Sequence, residues 1–182
     1  MGARGYFWLK AVIFALLAWN TAVFVHTGTL SEAVDSVAWL VLLALFELET
    51  GAAGPRRGSA WVRGARVAAA GAIPLAAIGY VLDREWLDAI NSTLWIVVVV
   101  ILELQVRFPA AAIGFRALGG ATLTVLYAGL GTVAAVWLWR EDWFSAYDAA
   151  LWLLAYVTIE INVLQVLRRW PGVAPAMASR TE

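Results

Sequence analysis

Three glutamates stand inside long apolar runs of this chain: Glu47, Glu103 and Glu160. A carboxylate in such surroundings keeps its proton, pairs with a cation, or passes one along, and intramembrane carboxylates often mark proton and cation paths. Each glutamate comes eight residues after a tryptophan: Trp39, Trp95 and Trp152. Four residues before each tryptophan stands Asp35, Asn91 or Asp148, and two residues after each glutamate comes Glu49, Gln105 or Asn162. The tryptophans are 56 and 57 residues apart. The whole arrangement reads as an internal repeat.

The repeat points to partners for two of the glutamates. Lys10 precedes Glu47 by 37 residues, and Arg66 precedes Glu103 by the same 37. Ion pairs Lys10–Glu47 and Arg66–Glu103 are expected. At the equivalent place before Glu160 stands Leu123, flanked by Thr122 and Thr124. Glu160 is therefore read as protonated, as hydrogen-bonded to threonine hydroxyls and Asn162, or as paired with an arginine from another hairpin or another protein. Glu160 leads the candidates for an ion path, followed by Glu47, Glu103 and Asn162. On a helix, positions i and i+4 lie about 40° apart and i and i+8 about 80° apart. The Asp/Asn, Trp and Glu of each copy can thus share one broad face, and three such faces predict a central ring of Trp39, Trp95 and Trp152. Asp35, Asn91 and Asp148 read as N-terminal caps, where a short polar side chain accepts from free N–H groups. Asn20 and Thr21 in the first apolar run read as a helix–helix hydrogen bond.

Other chemistries find no support. There is no Cys and a single His26, so disulfides, thiolate chemistry, iron–sulfur ligation and bis-His haem within one chain are excluded. No metal site, no cofactor and no enzymatic activity is expected: neither a nucleophile–base set nor a phosphate-binding glycine loop is present. Net charge is zero, which gives no basis for nucleic-acid binding.

The elements that must position these residues are apolar helices. Of 182 residues, 63% are hydrophobic and only 14% charged, with a mean hydropathy of +0.78. An ordinary soluble domain has about a quarter of its residues charged. Apolar runs near the roughly 20 residues that span a bilayer recur along the chain. They predict an all-α integral membrane fold with six transmembrane helices, over 5–25, 32–50, 62–82, 87–107, 118–139 and 145–168. Tight connections join them as three tandem hairpins, 5–50, 62–107 and 118–168, within one transmembrane domain over 1–170. Residues 171–182 read as a disordered cytoplasmic tail. Small residues crowd the third and fifth helices, which suits close helix packing in lipid, and Pro74 predicts a kink in the third.

Eleven of the thirteen basic residues fall at the N-terminus, in the two longer connections or near the C-terminus; only Arg84 and Arg140 lie at hairpin tips. The positive-inside rule then puts both termini in the cytoplasm, and a bacterial inner (plasma) membrane is the expected location. Two readings of function follow. One is a proton or cation channel or transporter that uses the acidic cluster. The other is a non-catalytic accessory or assembly subunit of a larger membrane complex. Partners in either case are the lipid bilayer and, beyond it, other membrane subunits or further copies of the chain.

Overall fold

The computed structural model describes the backbone of residues 3–50, 60–107 and 116–168, and the side chains of 5–48, 60–104 and 120–158. The described chain is helical, with six elements: α1 (Ala3–Thr27), α2 (Leu30–Thr50), α3 (Ala60–Leu82), α4 (Trp86–Arg107), α5 (Arg116–Trp139) and α6 (Trp143–Arg168). Among the described residues, four of them, α1, α3, α4 and α5, are long and apolar enough to cross a membrane. The described part of α2 falls short because it carries Glu32, Asp35 and Glu47. The Pro/Ala/Ser-rich tail, and the side chains of Glu160, Asn162, Glu49 and Gln105, lie outside the described residues.

Local chemistry sets the helix ends. Thr29 and Glu32 form a reciprocal capping box: the Glu32 amide donates to Thr29 Oγ1 at 3.3 Å, and the Thr29 amide donates to Glu32 Oε2 at 2.6 Å. Asp142 caps α6, accepting from the Ser145 amide at 3.1 Å. The other two tips close with a shared turn. Glu85 N–H donates to Tyr80 O at 2.8 Å and Asp142 N–H to Trp137 O at 3.0 Å, five residues back in each case. This turn drives Arg84 and Glu141 into the left-handed region, with φ of 63° and 64°.

Asp35, Asn91 and Asp148 are not helix caps. α2, α4 and α6 begin at Leu30, Trp86 and Trp143, so each of the three positions lies five residues inside its helix. Thr29 and Asp142 take the capping role at α2 and α6, and all three side chains are left to face the interior. The expected helix starts at 32, 87 and 145 are thus one to two residues late, and α3 runs unbroken through Pro74.

Each helix packs against its neighbours in the chain, and α1 packs against α6, so the six close into a ring. Apolar side chains fill its middle. Leu17, Val98 and Leu130 have at most 1% of their surface exposed, and Ala69, Ile73, Ala76 and Tyr80 turn one stripe of α3 inward. The outer surface is also apolar: Trp8, Trp19, Val67, Leu75 and Val125 are all at least 64% exposed. A protein that turns large apolar side chains outward over its whole circumference is suited to lipid rather than water. The apolar helices therefore make a membrane-embedded bundle.

Candidate functional site

The three repeat tryptophans, Trp39, Trp95 and Trp152, meet at the centre of the ring. The Trp39 ring lies 6.4 Å from both Trp95 and Trp152, measured between centroids, and all three are buried. Tilted and edge-on contacts at this distance suit the ring quadrupoles. Above this layer, toward the hairpin tips, a cavity of about 60 Å³ (open to the centres of water molecules) is walled by Asp35, Asp88, Asn91 and Asp148, with Glu32 and Ser145 nearer the tips. The tryptophan layer is its floor.

Each wall residue is placed by helical spacing. Asp35 accepts a hydrogen bond from Trp39 Nε1 one turn below, at 3.1 Å, and Ser92 Oγ approaches the same oxygen from α4 at 3.5 Å. Asp148 is held likewise by Trp152 and, from α1, by Asn20 Nδ2 at 2.8 Å. Asn20 thus makes the expected helix–helix bond. Asn91 departs from this pattern: its Oδ1 is buried with no partner, and Trp95 packs instead on the Tyr156 ring at 4.6 Å. The irregular member of the set, among the described residues, is thus in the second copy.

At the tips the carboxylates crowd one another. Burial, followed by the negative charges of Glu32 and Asp83, raises the Glu85 carboxyl above its ordinary value of 4.5. Its Oε2 is buried without a hydrogen-bond partner. Asp83 accepts from Ser31 Oγ at 3.2 Å, which ties the tip of the second hairpin to the start of α2.

The opposite half of the bundle holds the glutamates. Lys10 Nζ lies 2.5 Å from Glu47 Oε2, with both side chains about one-fifth exposed (20% and 22%). Lys10 also sits 5.6 Å from the centre of the Tyr6 ring, and Tyr6 Oη donates to the carbonyl of Thr158 at 3.3 Å. This cluster joins α1, α2 and α6. Arg66 and Glu103 are exposed and each is engaged in an interaction. Glu47 and Glu103 therefore stand apart from the cavity: of the expected path residues with described side chains, neither lines it.

Sequence spacing holds a signal for the cavity that the tryptophan and glutamate pattern hides. Glu32, Asp88 and Ser145 each come three residues before Asp35, Asn91 and Asp148, one turn up the same face. Tyr80 and Trp137, from the odd-numbered helices, complete the wall and have no counterpart in that spacing. In chemical terms the arrangement offers acceptors and aromatic faces, a combination suited to a cation. No family model, curated protein or solved structure matches this chain.

Proposed function

We propose that this chain is a six-span membrane protein, built from three hairpin repeats with both termini cytoplasmic in a bacterial inner membrane, and that it moves protons or small cations. The observation carrying this reading is the cavity above the tryptophan layer, walled by Glu32, Asp35, Asp88 and Asp148 with no cation among its lining residues. Carboxylates gathered on helix faces that could otherwise be apolar cost several kcal/mol in a bilayer unless a function retains them. Cations enter from the hairpin tips, the tryptophan layer is the gate, and the Lys10–Glu47 and Arg66–Glu103 pairs hold the inner half. Glu160 and Asn162 are the exit-side candidates.

The test is flux into liposomes holding the purified protein, under a pH or alkali-cation gradient. Wild type is expected to leak the cation, with the rate lost in Asp35→Asn and Asp148→Asn and reduced in Glu160→Gln. No flux above empty liposomes removes the transport reading. Flux unchanged by the Asp variants removes the cavity from the path.

One observation favours the alternative, a non-catalytic accessory subunit. The tryptophan rings fill the centre with 6.4 Å between centroids, which leaves this arrangement closed. Co-purification with one defined membrane complex, together with absent flux, is the outcome expected of that reading.

A further inference from the structure

The cavity wall carries more than a proton path needs. Every helix contributes an aromatic ring to it: Phe24, Trp39, Tyr80, Trp95, Trp137 and Trp152, in order from α1 to α6, with Tyr156 a second from α6. Aromatic faces attract cations through the ring quadrupole, and organic ammonium groups most usefully, because their carbon bonds to the same faces. Between the rings stand four carboxylates, Glu32, Asp35, Asp88 and Asp148, with Ser36, Asn91 and Ser145. Ionised carboxylates accept only, and Asp35 and Asp148 have already taken the nearby Trp and Asn donors.

Two further acceptors are left open. Asn91 lines the cavity, and its buried Oδ1 has no partner. Asn20 stands behind the lining, bonded through Nδ2 to Asp148; it has only 1% of its surface exposed, and its Oδ1 also lacks a partner. A buried acceptor without a donor costs about 1–3 kcal/mol, so the site calls for something that brings N–H or O–H groups. A bare metal ion answers an oxygen acceptor only by direct coordination, which takes several converging oxygens. Among the described residues no three carboxylates converge to hold one, since they are dealt out around the wall rather than gathered. Asp35, Asn91 and Asp148 occupy equivalent places on three helices, and a primary ammonium presents three N–H donors. The cavity volume of about 60 Å³ admits a group of only a few heavy atoms, since one water needs about 10–15 Å³ on this measure.

We infer that the cavity binds the head of a small protonated primary amine, its N–H groups directed to the Asp35, Asn91 and Asp148 level and its carbon against the aromatic wall. This rests on the cation-transport reading and names the class of cation. The ammonium group satisfies the open Asn91 acceptor, and the rings exclude a fully hydrated ion. Discrimination against a quaternary ammonium follows because it carries no N–H donor, and against potassium because no three carboxylates among the described residues converge to replace its water.

The experiment titrates intrinsic tryptophan fluorescence of the purified protein with methylammonium, tetramethylammonium and potassium chlorides at constant ionic strength. Methylammonium is expected to give a saturable change, with binding at least about tenfold tighter than tetramethylammonium and no saturable response to potassium, the factor expected for a lost charged hydrogen bond. Asp35→Asn and Asp148→Asn are expected to weaken it by about tenfold or more. Asn91→Asp, which supplies a third carboxylate, is expected to tighten it by a similar factor, a gain that misfolding cannot produce. Equal response to the three salts, or a methylammonium response unchanged in all variants, overturns the inference. If proton or alkali-cation flux depends on Asp35 while methylammonium neither binds nor moves, this inference fails and the transport reading stands. If methylammonium binds as described but no cation is moved, the transport reading fails and the amine site stands.

Discussion

Asn20 on the first helix and Asp148 on the last are hydrogen-bonded at 2.8 Å, 128 residues apart in the chain. At the other end of the same helix pair, Tyr6 bonds to the Thr158 carbonyl at 3.3 Å. These two contacts latch α1 to α6 and so close the ring. Asn20→Leu removes the bond and leaves Asp148 short of a donor, and is expected to destabilise by about 1–3 kcal/mol. Tyr6→Phe is expected to cost less, about 0.5–1 kcal/mol, because a single bond to a carbonyl is lost. Unfolding in mixed detergent micelles measures both.

The Lys10–Glu47 pair is only partly shielded, with about one-fifth of each side chain exposed. Removing one partner strands the other, which costs about 3–5 kcal/mol at a fully buried site. Exposure reduces this, and Lys10→Met is expected to destabilise by about 1–3 kcal/mol. The double variant Lys10→Met/Glu47→Leu is expected to recover much of that loss. A thermal melt of the three proteins decides; equal loss in single and double variants would show that the pair is not what holds Glu47.

Gly79 marks the closest approach of α3 to α2. A Cβ added there would overlap Ser31 Oγ and come within 3.3 Å of Ser31 Cβ. Ser31 is buried and bonded to Asp83, so turning it away breaks that bond. Gly79→Ala is expected to destabilise by about 1–3 kcal/mol, against a near-neutral effect of Gly71→Ala, where the added carbon meets nothing within 4 Å. The same melt compares them.

Arg84 and Glu141 occupy left-handed turns that suit glycine. Arg84→Gly and Glu141→Gly are each expected to stabilise by about 0.5–1 kcal/mol, after the greater unfolded-state freedom of glycine is set against the relief of strain. A fall in melting temperature for both would mean that the side chains, not the backbone turn, hold the tips.

Glu85 supplies a pH effect with a definite sign. Its folded carboxyl titrates above the ordinary 4.5, so folding favours the protonated form. That contribution is present in full below pH 4.5 and is withdrawn as pH rises through the higher folded value. Glu85→Gln is expected to lose less stability than wild type between pH 4 and pH 8, checked by melting both across that range. A parallel pair of curves would place the charge strain elsewhere.

Composition and periodicity were enough to determine that this is an all-helical chain for an apolar environment, and where its six helices run. The reason is physical: a stretch of some twenty apolar residues has few ways to satisfy its backbone other than as a helix. The polar residues that break these runs, and the eight-residue step from tryptophan to glutamate, were equally plain. Which of them would meet was not. The spacing placed Trp39, Trp95 and Trp152 on matching helices, but only closure of the ring through Asn20–Asp148 and Tyr6–Thr158 brings α6 beside α1 and the three rings together. The spacing also suggested helix caps at Asp35, Asn91 and Asp148, because polar residues near a helix start look alike whether they cap it or face inward. Tertiary structure decides between those uses, since Thr29 and Asp142 take the caps and the inward side chains are left to wall a cavity with rings from all six helices. A site assembled from six separated segments, with rings from each, has no single local pattern to read, and it exists only once the helices have packed.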